Sequence, residues 1–488
     1  MSKNPSSGSP LASSTQPAQR VVAIVGFLLF VELSSGFLQG YYSPLFGGMI
    51  EHWDITDAQI TWFVTAQTLA AGVSVPVLSK LGDIFGHRRI LRLTVISVAI
   101  GATLVALSPS FPLALLGRIL CGPLAVWLPL EIAIVHSRLS LASSRKAIGM
   151  LVASITLGAV IGSISAGFTS NLENFTTVLL IPVVILLLCI VAVFVAVPES
   201  TERANPKIDG WGFAGLAVFM LLLLWGLQQA SQAGFASLGT LLPIIGAVVV
   251  FLVWVWWERR AEVPAIDLSL ITQSKLWPAY VISFIVGVIA LGTQTILMTF
   301  LAGDPARLGY GFSMPASKLS LISLVSIFPA MLSSIAFARI AKRLGLLKVL
   351  LIGLSAGFIG QIGMAVLNTS LTAIIVSLIV SGLGVGLLLG ALPALISEEA
   401  PLDSTGIATG LYNSLKTLGG AVAGSAFGLI LASFVMPEYG AASLGGYVTV
   451  WIVCAASCLV GLLVLPTLRQ NRPQTTVIQL PLDLEEKI

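Results

Sequence analysis

The segment Lys80-Leu81-Gly82-Asp83-Ile84-Phe85-Gly86-His87-Arg88-Arg89-Ile90-Leu91 places several charges between two long apolar runs. Asp83 comes first, Gly86 is suited to a tight turn, and Arg88 and Arg89 follow. Because the flanking sequence is almost entirely apolar, these charges are expected to fix the orientation of the two runs. They are also expected to act as a gating loop.

The composition excludes a water-soluble globular protein. Hydrophobic residues make up 56% of the 488 residues and charged residues only 9%, whereas soluble domains carry about 25% charged residues. Apolar runs of this length predict bilayer-spanning helices. The four cysteines, Cys121, Cys189, Cys454 and Cys458, lie inside apolar runs, which indicates packing and not a disulfide framework or a metal site.

Hydropathy predicts an all-α membrane protein with fourteen spans, grouped as six, two and six. The predicted spans are 21–43, 58–80, 90–108, 112–136, 147–169, 176–197, 210–229, 238–257, 277–301, 317–338, 347–367, 371–396, 406–434 and 446–467. These form a six-helix bundle at 21–197, a linker with two inserted transmembrane helices at 198–275, and a second six-helix bundle at 276–467. Residues 1–20 are predicted to be a disordered cytoplasmic N-terminus, and 468–488 a cytoplasmic tail.

Basic residues are concentrated in the loops on one side of these spans. With the N-terminus inside, the inside loops hold Arg88, Arg89 and many others, whereas the outside loops hold only Arg307 and Lys318. Cytoplasmic loops are enriched in Lys and Arg. The sequence therefore predicts a multi-pass protein of the cell membrane with both termini in the cytoplasm.

Two patterns recur about 260 residues apart. The glycines Gly158, Gly162 and Gly167 are echoed at 420, 424 and 428, and the segment 80–86 is echoed at 339–345. Parallel halves related by an axis along the membrane normal give such a repeat, with the substrate site between them near mid-membrane. The two central spans have no counterpart in either half and are interpreted as an insertion.

The order and spacing of several motifs resemble the fourteen-span drug:proton antiporter family of the major facilitator superfamily. The loop signature of that family, Gly-x-Leu-Gly/Ala-Asp-Arg-x-Gly-Arg-Arg, is matched at Leu81, Asp83, Gly86 and Arg88, but not at 79, 84 and 87. Further similar segments are 62–66, the pair Arg118 and Gly122, and 412–420, which includes Lys416. The resemblance covers nearly the whole chain and implies the major facilitator fold and proton-driven transport.

One motif of the family is incomplete here. Its fifth span carries Gly-Pro-x-x-Gly-Gly, and this chain has Gly162-Ser163-Ile164-Ser165-Ala166-Gly167, without the proline. The glycines remain, so export is favoured, and uptake stays open. Most glycines of this kind only allow close helix approach, but their recurrence in the second half predicts a paired gating seam.

The resemblance implies that Asp83 latches the two bundles together when the cavity faces outward. A candidate acceptor is the N-terminus of the span that begins near Ser404, on the same side of the membrane. The unpaired N–H groups and positive dipole end of a helix N-terminus favour a carboxylate. Arg88 and Arg89 serve at least as topology anchors.

Three charges within the predicted spans are candidates for proton coupling. Glu32 lies about 18 Å along its helix from Arg20, close to the midplane, where desolvation favours a protonated carboxyl group. The resemblance implicates Arg118 in proton coupling. Glu131 follows Pro129, where a kink would open a water-accessible pocket, and it is either a second protonation site or an acid that recognises cations. At 100° per residue, Arg118 and Glu131 are expected on different helix faces.

Each of these charges also has a structural interpretation. Glu32 would be held by Ser or Tyr hydroxyls, and Arg118 would bind backbone carbonyls in helix packing. Polar side chains near mid-span that would line a substrate cavity, or else form helix–helix hydrogen bonds, are Gln39, Tyr42, Gln67, Gln294, Gln361 and Asn413.

The sequence therefore predicts a proton-coupled secondary transporter that exports hydrophobic or cationic small molecules by alternating access. There is no phosphate-loop motif, so we expect no ATP-driven pump. We also expect no enzyme, no cofactor and no bound metal. The expected partners are a small-molecule substrate, protons and the lipid bilayer, with no nucleic acid, and the chain is expected to be a monomer. The alternatives are a dedicated carrier for one metabolite, by export or proton symport, and a non-transporting membrane sensor.

Overall fold

A computed structural model of the chain describes residues 18–55, 57–169, 174–196, 209–234, 236–262, 264, 276–314, 316–401, 404–436, 438–439 and 441–470. Most of the predicted disordered N-terminus and of the C-terminal tail lies outside these ranges. So do residues 198–208 and 265–275 of the predicted linker.

The described residues are mostly helical. The helices of the first part are α1 (Ala18–Tyr41), α2 (Phe46–Trp53), α3 (Asp57–Phe85), α4 (His87–Leu107), α5 (Phe111–Leu120), α6 (Trp127–Arg138), α7 (Leu141–Thr169), α8 (Phe175–Ala196), α9 (Gly210–Ala233) and α10 (Leu238–Glu258). Those of the second part are α11 (Trp277–Ala290), α12 (Gln294–Ala302), α13 (Pro305–Leu308), α14 (Ala316–Leu344), α15 (Leu346–Val366), α16 (Leu371–Glu399), α17 (Thr405–Ser433) and α18 (Leu444–Gln470). A two-stranded antiparallel hairpin, β1 (Val435–Met436) and β2 (Ala441–Ala442), joins α17 to α18.

The long helices coincide with the predicted spans to within a few residues at most ends. Eleven helices of the described chain are long and apolar enough to cross a membrane. The prediction of an all-α, multi-pass membrane protein is confirmed, whereas the full count of fourteen crossings and the bundle boundaries stay predictions.

Two predicted spans are broken. In the fourth, α5 ends at Leu120, a 3-10 helix occupies Gly122–Val126, and α6 begins at Trp127. Pro123 has no N–H to continue an α-helix. The ninth is interrupted between α11 and α12. The helix-wheel prediction for Arg118 and Glu131 assumed one continuous helix, so its angle does not apply.

Within each half, glycines let helices approach closely. We call α1–α8 the first half and α11–α18 the second half. In the first half, α1 packs along α7, and Cβ atoms at Gly36 or Gly40 would collide with backbone carbonyls of α7. In the second half, α11 packs along α17, where a Cβ at Gly287 would collide with the Lys416 carbonyl.

The inserted helices α9 and α10 pair with each other and also contact the halves. Helix α9 packs against α3 of the first half and α17 of the second. Leu224 of α9 fills the space beside Gly72, and the rings of Trp62 and Trp225 lie 6.1 Å apart, edge to face. Both halves therefore share a contact with the insertion.

Candidate functional site

The quoted segment forms a sharp corner between two helices. Helix α3 ends at Phe85, Gly86 has φ 106°, and α4 begins at His87. Residues other than glycine rarely adopt this backbone conformation. Gly345 occupies the same place between α14 and α15, with φ 83°. The echo between 80–86 and 339–345 thus corresponds to the same backbone corner in both halves.

Asp83 joins the two halves at this corner. Its carboxylate is 1% exposed and accepts hydrogen bonds from the backbone N–H groups of Gly406, at 2.9 Å, and Ile407, at 2.8 Å. These are orphan donors in the first turn of α17. The predicted contact with the helix that begins near Ser404 is therefore present. His87 Nε2 lies 2.9 Å from the same carboxylate, a neighbour that the sequence did not suggest.

The two arginines of the corner lie outside this contact. Arg88 is partly buried and donates to the carbonyl of Phe194 on α8, at 3.1 Å. Arg89 is exposed. Their roles in gating stay predictions.

Other contacts between the halves lie at the same end of the molecule, the predicted cytoplasmic end. Arg145, near the start of α7, forms a two-pronged ion pair with Glu398, near the end of α16, with N–O distances of 2.6 and 2.7 Å. A Cβ at Gly149 would collide with the Ser334 carbonyl of α14. The halves are thus closed together on this side.

Glu32 and Glu131 meet in the interior of the first half. They are 1% and 0% exposed, and their carboxyl groups are close enough to form a hydrogen bond with each other. Among the described residues, neither carboxyl receives a hydrogen bond from a backbone, hydroxyl or amide donor. Like charges that share a buried site cannot readily ionise together, and a carboxyl–carboxyl hydrogen bond requires a proton on one partner. The pair is therefore suited to holding and releasing a proton.

This pairing revises one expectation about Glu131 and one about Glu32. The helix break lies at 121–126, before Pro129, and Glu131 is fully buried instead of facing a water-accessible pocket. In the part of the chain that the structure describes, Glu32 receives no hydrogen bond from a Ser or Tyr hydroxyl.

Lys416 of α17 supplies a positive charge from the other half. It is partly buried, lies 5.5 Å from the centre of the Tyr412 ring, and attracts Glu32 electrostatically. The sequence contained a signal for it, since a lysine in the middle of an apolar run usually has a partner. Its acidic partner Glu32 could not be identified from the sequence, because the two residues lie 384 positions apart.

Arg118 belongs to a separate cluster. Its Nε donates to the Phe63 carbonyl at 3.1 Å, and its guanidinium lies over the rings of Tyr42 and Phe63, at 4.8 and 4.3 Å. Among the described residues it forms no ion pair with a carboxylate. These contacts match the interpretation of Arg118 as a packing residue, and its part in proton coupling stays a prediction.

The three glycines of α7 differ in their surroundings. Cβ atoms at Gly158 and Gly162 would collide with the carbonyls of Leu33 and Phe37 on α1. A Cβ at Gly167 would meet open space, as would one at 424 or 428. Close approach therefore involves two of the three glycines, and the contact is with α1 and not with the second half.

The predicted cavity residues are dispersed. Gln361 is 1% exposed and donates to Ser381 at 3.4 Å, so it joins α15 to α16, and its part in a cavity stays a prediction. Asn413 donates to the Ala125 carbonyl at 3.0 Å, across the two halves. Tyr42 is buried beside Arg118.

Two of the remaining predicted cavity residues, Gln39 and Gln67, are described at their side chains. Gln39 is exposed and hydrogen bonds to Ser35 of its own helix, and Gln67 is partly exposed on α3. The side chain of Gln294 lies outside the described part of the chain.

Comparison with known proteins agrees with this architecture. The family model "Major Facilitator Superfamily" matches residues 28–424. The "Probable actinorhodin transporter" of Streptomyces coelicolor is 27% identical over 77% of this chain and 67% of its own length. The "Tetracenomycin C resistance and export protein" of Streptomyces glaucescens is 26% identical over 78% of this chain and 70% of its own length.

Other comparisons delimit the similarity. The "Uncharacterized MFS-type transporter Rv1877" of Mycobacterium tuberculosis is 25% identical over 80% of this chain, which spans only 56% of that relative's length. The crystal structure of the human organic anion transporter MFSD10 shares the fold, with a TM-score of 0.65 at 15% identity, over 92% of this chain and 100% of that one. The chain, with two helical halves joined at Asp83 and a family match over most of its length, belongs to the Major Facilitator Superfamily.

Proposed function

We propose that this chain is a carrier that exports hydrophobic or cationic small molecules from the cytoplasm in exchange for protons. The named relatives include a resistance and export protein and a probable transporter of an antibiotic, which supports export of small organic molecules. The protein would act in the cell membrane, as a monomer with both termini cytoplasmic, without a cofactor and without catalysing a chemical reaction.

The observation that carries proton coupling is the Glu32–Glu131 pair. The two carboxyl groups are adjacent and buried, and among the described residues they have no other hydrogen-bond donor. Such a pair would hold at least one proton between its two members. The pair can gain or lose a proton only when a path to water opens, and alternating access opens such a path on each side in turn. Proton transfer would thereby be tied to the transport cycle.

The test uses inverted vesicles with an imposed pH gradient, a pH-sensitive dye and a panel of cationic amphiphiles. Addition of a transported compound should release protons from the lumen. Glu32→Gln should abolish this response and leave membrane insertion intact. Glu51→Gln, the same change at an exposed position on α2, is the matched control. Retained pH-driven transport in Glu32→Gln would refute the proposed role.

A dedicated carrier for one metabolite is the second candidate. The missing proline in the fifth predicted span, and the naming of two relatives for one product each, favour it. In the same vesicles, no response to any cationic amphiphile but a response to a single metabolite would support this candidate.

A further inference from the structure

Lys416 lies at a depth similar to that of the acid pair. It is about 17 Å along α17 from Thr405, and Glu32 is about 21 Å along α1 from Ala18, at 1.5 Å per residue. Both helices begin on the predicted cytoplasmic side. The lysine of one half and the acid of the other are therefore near the middle of their helices.

The helix face that carries Lys416 is turned toward the fourth predicted span. Thr409, Asn413 and Lys416 follow an i, i+4, i+7 spacing, which places them on one face. Thr409 Oγ1 donates to the Pro129 carbonyl at 3.4 Å, and Asn413 Nδ2 donates to the Ala125 carbonyl at 3.0 Å. Lys416 continues this face inward, past the segment that leads to Glu131.

The acids need a counter-ion, and Lys416 is placed to provide it. Burial of an uncompensated carboxylate is strongly unfavourable, and within the described ranges neither acid receives a hydrogen bond from another donor. Besides the two acids, the titratable groups that act on the pair are Lys416 on α17 and the thiol of Cys189 on α8. Of these, only Lys416 carries a positive charge, and only Lys416 belongs to the second half.

We propose that Lys416 is a tethered counter-ion that links proton binding at the Glu32–Glu131 pair to separation of the two halves. This proposal rests on the proposed proton-coupled function and extends it across the interface. With one proton, the pair carries one negative charge and attracts the Lys416 ammonium. A second proton binds the remaining carboxylate, the attraction disappears, and Lys416 keeps its own proton. An organic cation that reached the singly protonated pair would displace Lys416 in the same way, so the pair would accept a proton or a cation.

The test needs no transported substrate. Spin labels are attached at Ser140→Cys in the first half and Leu344→Cys in the second, two exposed positions at the predicted cytoplasmic side. The distance between the labels, measured at a series of pH values, reports separation of the halves. The four native cysteines are buried. In the labelled protein with all other residues unchanged, we expect two populations of label-to-label distance whose proportions change with pH. The pH at which the two populations are equal is the midpoint.

Lys416→Gln removes the counter-ion, so a negative charge on the pair becomes less favourable and the second proton binds at higher pH. The midpoint should rise by about one pH unit or more, as expected for the loss of a nearby charge in a protein interior. Lys416→Arg should keep the midpoint. Lys348→Gln, at an exposed position of α15, is the matched control and should not move it. Lys416→Met replaces the Gln variant if that variant does not assemble.

The outcomes separate the two proposals. An unchanged midpoint in the neutral Lys416 variants, with a titration that Glu32→Gln removes, would overturn the role of Lys416 and leave the proton function standing. A distance distribution that does not respond to pH in the unmodified background would overturn both. A raised midpoint with Gln or Met, restored by Arg, supports the tethered counter-ion.

Discussion

The carboxylate of Asp83 caps a helix that begins 322 residues later, and its Oδ1 lies 2.9 Å from the backbone N of Gly406. This bond and the 2.8 Å bond from Ile407 join the last turn of α3 to the first turn of α17. Any motion that opens the molecule on this side must break both bonds. The contact of Asp83 with Gly406 and Ile407, next to the corner at Gly86, is therefore a latch that holds the two halves together.

Asp83→Asn should open this latch. Asparagine keeps one acceptor oxygen but loses the charge, and hydrogen bonds to charged groups contribute about 1.5–3 kcal/mol. The open population should rise about tenfold or more. Alkylation of Ser79→Cys, which is fully buried and faces Gly410, should speed up accordingly. Asp54→Asn, on the exposed opposite side, is the control, and equal alkylation rates in both variants would contradict the latch.

The ion pair between Arg145 and Glu398 should act as a second latch. Two parallel charge-assisted hydrogen bonds join α7 to α16. Arg145→Gln and Glu398→Gln should each increase alkylation of Ser79→Cys. A double-mutant cycle should give a coupling energy of about 1 kcal/mol, and the exchanged pair Arg145→Glu with Glu398→Arg should recover part of the closed population. Strictly additive single effects would show that the pair contributes nothing.

Glu131→Gln should shift the pH response in the same direction as Lys416→Gln. In the singly protonated pair a carboxyl O–H donates to the remaining carboxylate, and the amide of glutamine donates a weaker N–H in its place. Glu32 should then bind its proton at higher pH, so the midpoint of the distance titration between labels at 140 and 344 should rise. A fall, or no change, would mean that the two acids do not act as a pair.

Substitution of Gly162 by Ala should destabilise the first half. The added Cβ would collide with the Phe37 carbonyl, a backbone atom that cannot move without displacing α1. Overpacking of this kind costs about 1–3 kcal/mol. The melting temperature in detergent should fall, and Gly167→Ala, five residues further along the same helix in open space, should leave it unchanged. A similar melting temperature in both variants would contradict the close packing of α1 on α7.

Much of the architecture could be predicted from the sequence because hydropathy and charge asymmetry are local signals. The ends of α4, α8 and α9 lie within a few residues of their predictions. The contact of Asp83 with the start of α17 was also predictable, since a helix N-terminus attracts a carboxylate wherever one is within reach.

The pairings in the interior could not be predicted. The 3-10 helix at Gly122–Val126 interrupts the fourth predicted span, so a single helix wheel cannot place Glu131 relative to its neighbours. The contacts of Glu32 with Glu131, and of Arg145 with Glu398, join positions about 100 and 253 residues apart. Such pairings depend on how helices pack, which one sequence does not encode locally.

The position of α9 has a consequence for compounds dissolved in the membrane. Helix α9 lies against both α3 and α17. It therefore separates the interface between these two helices from the lipid on that side of the molecule. A lipophilic molecule that diffuses in the bilayer plane meets the inserted hairpin there before it meets the interface. A lateral route from the bilayer into the interface would have to pass α9 on this flank.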